Sequence, residues 1–234
     1  MITKTIILLF LAAFIPPVIY VIWIRNTEKY HREKWRSIFV SFIWGATIAV
    51  AAAVILELIL NYSIAPSINP NTLHVFAVVI AAPFAEELTK PLALRLKTVK
   101  RELVEPEDGL IYGAVAGLGF SATENLVYGY SFLSEGLVMF LILISLRSIG
   151  GCLLHASATA WTGYGYGKKI MKKSSLLSVL PYFITAILIH AFYNGVLVFR
   201  EIGVYIGLFI ALLFSVISIS IIRRKIITLD NKNK

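Results

Sequence analysis

The chain is 234 residues long, 58% hydrophobic and only 15% charged, with a mean hydropathy of +0.81. A soluble globular domain is nearer about 45–50% apolar and about 25% charged, so this composition excludes that class and points to an integral membrane protein. The net charge of +9 could suit nucleic acid, but the basic residues fall in short connections between apolar runs, a pattern that encodes membrane orientation; no nucleic-acid partner is expected. The single cysteine, Cys152, rules out an intrachain disulfide.

Seven spans are predicted in chain order, over residues 2–24, 38–60, 72–95, 108–131, 136–163, 176–199 and 203–222, each close to the roughly 20 apolar residues a spanning helix needs. The first connection carries Arg25, Lys29, Arg32, Lys34 and Arg36, and residues 61–71 carry no Lys or Arg. The third holds Arg95, Lys97, Lys100 and Arg101, and the fourth none. The fifth holds Lys168, Lys169, Lys172 and Lys173, the sixth only Arg200, and the tail Arg223, Arg224, Lys225, Lys232 and Lys234. That alternation predicts an outside N-terminus and a cytoplasmic C-terminus. The first segment is too long for a signal-peptide core, and five basic residues follow it at once, so it reads as a span, kinked at Pro16 and Pro17. With no soluble domain, linker or internal repeat, residues 1–234 form a single all-α, polytopic transmembrane bundle in the cell membrane. Any function must lie among its helices.

Ionisable residues inside the spans are few: Glu57, Glu86, Glu87, Lys90, Glu124, Arg147, His155 and His190, joined by Asn125 and Asn194. A carboxylate at membrane depth costs from ~2.5 to over ~10 kcal/mol, so such residues face the bundle interior, pair, and mark function. Glu86 and Lys90 are four apart on one helix face, while Glu87 is turned by ~100°. A plain buried Glu86–Lys90 ion pair would leave Glu87 without a purpose. Pro83 upstream loosens the helix and frees carbonyls towards a cavity. Gly109, Gly113 and Gly117 recur every four residues, a spacing that lets another helix come close, on the helix that delivers Glu124 and Asn125. His155 lies among small and hydroxylated residues. Arg147 reads as a structural counter-charge to a glutamate. His190 and Asn194 share a face four residues apart. Glu57 stands alone and reads as structural or interfacial. On straight helices Glu124 falls roughly 10 Å from the outer end of its span and Glu86 roughly 13 Å from the inner end of its own. In a core ~30 Å thick that leaves the two at different depths.

These motifs, in this order over residues 80–195, resemble the PrsW family of intramembrane proteases and, more distantly, the CAAX-processing and bacteriocin-immunity protease superfamily. They comprise Glu86, Glu87 and Lys90; Asp108 to Gly113 leading to Glu124 and Asn125; His155 with Gly163 and Gly165; and His190 with Asn194. The resemblance implies a four-helix catalytic core over residues 72–199 that hydrolyses a peptide bond of a membrane-associated protein or peptide. It implies catalysis by Glu86, Glu87, His155, His190 and Asn194, with Lys90, Glu124, Asn125 and Arg147 in support. A buried glutamate can activate water, and an amide can stabilise the oxyanion. Metal-free glutamate catalysis is the preferred reading. Zinc remains open, with Glu86, Glu87, Glu124, His155 and His190 as available ligands, although no His-Glu-x-x-His motif is present. Of the two glutamates, Glu87 is expected to be the freer base, because Glu86 shares its face with Lys90. The alternative reading is a proton- or cation-coupled transporter using the same residues, which the small size and missing inverted repeat disfavour. A scaffold with a degenerate site is a third.

Overall fold

The computed structural model describes residues 2–232; Lys234, counted above in the tail's charge, lies outside the described residues. Among these the chain is helical with no strand. Seven long helices follow in order: α1 (Ile2–Arg25), α2 (Trp35–Ser67), α3 (Pro70–Arg95), α4 (Pro106–Phe132), α5 (Leu137–Lys172), α6 (Leu176–Val198) and α7 (Val204–Asp230). The helix α1 continues through Pro16 and Pro17. Asn69 caps α3, its side chain accepting the Thr72 N–H at 2.9 Å, with Pro70 in the first turn where its missing N–H costs nothing. A capping box of Glu105 and Asp108 starts α4.

Six of these helices are long and apolar enough to cross a membrane, one fewer than the seven spans predicted. The exception is α4, and the reason is its position. Every residue from Glu107 to Ala122 is buried, with α1, α2, α5 and α7 packed around it. Over that stretch α4 meets protein rather than lipid, so it needs small residues more than apolar ones, whereas Val127 and Tyr130 near its end are exposed. An added Cβ at Gly113 would stand 2.6 Å from the Thr159 carbonyl oxygen, and one at Gly117 would collide with the His155 carbonyl. Only glycine permits this approach of α4 to α5. The peripheral helices instead expose large apolar side chains, such as Phe39, Leu58, Leu188 and Phe209.

The basic connections gather at one end of the bundle. Lys34 pairs with Glu102 at 2.9 Å, and His31 with Glu105 at 3.0 Å. The backbone N–H of Lys29 donates to Asp230, at the end of α7, at 2.9 Å. The first connection, the third and the tail are therefore neighbours, as alternation through seven helices requires.

Candidate active site

The site is set by an irregularity in α3. At Ala77–Ala81 the helix widens into a π-turn, and the Ala82 N–H reaches back to the Ala77 carbonyl. The Val78 carbonyl thereby loses its α-helical donor, and Pro83 has no N–H to supply the π-helical one. Asn194 of α6 fills the gap, its Nδ2 donating to that carbonyl at 2.8 Å. The freed carbonyl expected near Pro83 is thus present and ties α3 to α6. Below this turn Glu86, Glu87 and Lys90 all point inward and are buried.

Lys90 is the hub. Its Nζ donates to Glu86 Oε2 at 2.6 Å and to Glu87 Oε1 at 2.9 Å, and lies 2.9 Å from His155 Nδ1. It also stands 4.3 Å from the centre of the Phe120 ring, on whose face a cation is attracted. The sequence placed Lys90 against Glu86 alone; one turn of helix brings it to both carboxylates. Glu87 has both oxygens engaged: Oε1 with Lys90 and with His190 Nδ1 at 3.1 Å, and Oε2 with the Thr159 hydroxyl at 2.9 Å.

The partners fix the tautomers. An ammonium beside His155 Nδ1 requires a lone pair there, so the His155 proton sits on Nε2, which meets Glu124 Oε2 at 2.6 Å. A carboxylate beside His190 Nδ1 accepts a hydrogen bond from an N–H there, so the His190 proton sits on Nδ1 and Nε2 keeps its lone pair. The two rings cross edge to face, with centroids 5.0 Å apart. Arg147 closes the far side, donating to Glu124 Oε2 at 3.2 Å and to Asn125 Oδ1 at 2.9 Å and lying over the Tyr128 ring. Asn125 stands behind Arg147 and donates in turn to Cys152 Sγ.

A cavity of roughly 520 Å³ opens onto this network, lined by Glu86, Glu124, Arg147, His155, His190 and Asn194 among apolar side chains. Glu57 also lines it, so the solitary glutamate of the second span has company across the cavity. The depth mismatch between Glu86 and Glu124 closes: His155 touches Glu124 with one nitrogen and lies 3.6 Å from Glu86 with the other. Thr159 is the partner that the sequence reading passed over. Its signal was present, since it falls four residues after His155 on the same helix face.

The donor set also suits a metal. One ligand atom from each of Glu86, Glu87, His155 and His190 lies within 4.8 Å of the others. The individual edges are 3.1 Å for His190–Glu87, 3.6 Å for His155–Glu86 and 3.8 Å for His190–Glu86. Two ligands at about 2.0–2.1 Å on a tetrahedral zinc stand about 3.4 Å apart, and two carboxylates with two imidazoles are zinc-type donors. The fit in type and spacing is good once His190 turns its lone pair to Nδ1, the tautomer opposite to the one its bond to Glu87 sets. Lys90 Nζ bonds to three of these four groups, so a cation already sits among them. Glu124 binds the opposite nitrogen of His155 and stands outside the set.

The fold and the site define a multi-pass membrane protein with a buried Glu–Lys–His centre beside a cavity between its helices. The profile of PrsW family intramembrane metalloproteases matches residues 33–221, and the chain belongs to that family. It is also similar to Protease PrsW of Clostridioides difficile (strain 630), with 31% identity over 124 residues that cover 53% of this chain and 51% of that protein. The chain thus spans about half the length of that relative. No solved structure matches.

Proposed function

We propose that the protein is an intramembrane endopeptidase that hydrolyses a peptide bond of a membrane-associated protein, with Glu86 activating water. The observation that carries this reading is the convergence of Glu86, Glu124, His155, His190 and Asn194 on one cavity between the helices. Family membership supports it as well and lends the transport reading no support.

Glu86 is the better base because it lines the cavity while Lys90 holds its Oε2. Glu87, bound through both oxygens, orients Lys90 and His190. This reverses the order expected from sequence, which rested on Lys90 neutralising Glu86 alone. In the reaction, Glu86 takes a proton from water as the water oxygen bonds to the scissile carbonyl carbon. The same proton then passes to the leaving amide nitrogen as the C–N bond breaks. Asn194 spends one amide N–H on Val78 and retains a second for the developing oxyanion.

Glu86, Glu87, His155 and His190 would hold a zinc-class ion, which when bound acidifies water and polarises a carbonyl.

The test is reconstitution of the purified protein in liposomes with a panel of single-span membrane proteins. Wild type should cleave at least one. Glu86→Gln should lose about 100-fold or more in rate, the lower range for a positioned acid–base group. Glu87→Gln should retain measurable turnover. A silent wild type with glutamate-dependent ion flux would overturn the protease reading. Greater damage from Glu87→Gln would restore the opposite order of the two glutamates. A parallel arm with a chelator and zinc add-back separates glutamate-only from metal-assisted hydrolysis.

A further inference from the structure

A second group of carboxylates lies away from the cavity, at the basic end of the bundle. Glu28, Glu33, Glu105, Glu107, Asp108 and Asp230 bring six of the chain's 13 acidic residues to one place. Carboxylate oxygens of Glu28, Glu107 and Asp230 lie within 4.8 Å of one another, as do those of Glu28, Glu105 and Asp108. Glu28 belongs to both trios. It is fully buried, at 0% exposure, and neither of its carboxylate oxygens has a hydrogen-bond partner. An unanswered buried carboxylate is among the most costly groups a protein can hold.

The nearby cations do not answer it. Arg25 Nε donates to the Glu33 backbone carbonyl at 2.6 Å, Arg32 Nε to the Glu28 backbone carbonyl at 2.9 Å, and Arg223 Nε to the Thr27 hydroxyl at 3.1 Å. The surrounding acids are held in place by backbone. Asp230 accepts the N–H of Lys29 and of Tyr30 at 2.9 and 3.3 Å. Asp108 accepts those of Val104 and Glu105 at 2.6 and 2.7 Å. Burial, then repulsion from Asp108, Asp230 and Glu107, pushes the Glu28 carboxyl up to about 8.

We propose that this cluster binds one hard divalent cation, Ca²⁺ or Mg²⁺, centred on Glu28, with Glu107 and Asp230 on one side and Glu105 and Asp108 on the other. The donors are all oxygen, the choice of hard cations, in contrast to the Glu–His set inside the membrane. Oxygens on opposite sides of Ca²⁺, at about 2.3–2.6 Å each, stand about 4.6–5.2 Å apart, and around Mg²⁺ about 4.0–4.2 Å. The observed spacing admits either ion. The bound cation would clasp the first connection, the start of α4 and the end of α7, and so fix the helix that carries Glu124.

The test uses the full chain, purified in detergent and stripped with chelator, then titrated calorimetrically with CaCl₂ and with MgCl₂ alone. One saturable site is expected with at least one of them. At 100-fold saturation the Tm should rise by about 5–10 °C. Glu28→Gln should weaken binding at least about 10-fold and abolish the shift, whereas Glu86→Gln, in the intramembrane site, should keep both. Should Glu28→Gln fail to fold, Asp108→Asn takes its place with the same expectation. Absence of saturable binding to both ions, or an unchanged isotherm in the variant, overturns the proposal. So does a Glu28→Gln protein that is more stable than an ion-indifferent wild type, for the cluster would then be held by shared protons.

Discussion

Lys90 decides what the centre can hold. Its ammonium bonds to Glu86, Glu87 and His155 at 2.6–2.9 Å, the position from which a metal would reach the same groups. Removing it without replacement leaves two adjacent buried carboxylates, and breaking a buried pair in this way costs about 3–5 kcal/mol. Lys90→Met should therefore lower the Tm markedly, and zinc should raise the Tm of that variant by more than it raises that of wild type. Equal stabilisation of both by zinc would mean that ammonium and metal coexist, and the competition would be refuted. At this scale the sequence disclosed which ionisable residues the fold has to bury and pair, since each such group in an apolar run carries its energetic cost openly. It did not disclose who bonds to whom. Helical spacing gives neighbours within one helix, so Glu86–Lys90 was visible, whereas Thr159–Glu87 and Asn194–Val78 join different helices. The Glu28 cluster stayed hidden for a related reason: acids in a polar connection read as solvated until a fold buries them.

At the scale of elements, the contact of α4 with α5 sets the position of His155 relative to Glu124. The recurrence of Gly109, Gly113 and Gly117 was legible as a close-approach face, but the identity of the approaching helix was not. A Cβ at Gly117 collides with backbone at His155, and backbone cannot yield as a flexible side chain can. Gly117→Ala should accordingly force the helices apart, cost about 1–3 kcal/mol in stability and depress cleavage by displacing His155. Gly195→Ala is the control: its Cβ would meet Phe199 at 3.5 Å, an ordinary contact, and both stability and cleavage should stay near wild type. A Gly117→Ala protein with wild-type Tm and turnover would show that the two helices separate without consequence for the site. The π-turn of α3 was foreshadowed only by Pro83. A missing N–H announces a defect, while the direction of the widened turn depends on Asn194 being there to receive the carbonyl.

For the whole molecule, apolar run length made the helical bundle legible and placed the start of each long helix closely, but α2, α5 and α7 run on past their predicted ends at 60, 163 and 222 to Ser67, Lys172 and Asp230. The same criterion fails for α4, because a helix surrounded by protein is not selected for lipid solubility. Alternating charge supplied what hydropathy could not, and the contacts of Lys34 with Glu102 and of Lys29 with Asp230 carry that alternation into three dimensions by bringing the basic connections to one end. If the excess of Lys and Arg sets orientation, that end faces the cytoplasm, together with the Glu28 cluster. Single cysteines at Ser175, beside the basic fifth connection, and at Ser134, in the fourth, which carries no Lys or Arg, report on the two ends. Both lie in exposed turns, whereas the native Cys152 is buried. In intact cells an impermeant maleimide should label Ser134→Cys and spare Ser175→Cys until the membrane is opened. The reverse pattern would invert the bundle and place the carboxylate cluster on the outer face, where the cation it meets is set by the medium. Labelling of both in intact cells would mean that the two turns share one side, which an odd number of crossings between α4 and α6 cannot produce.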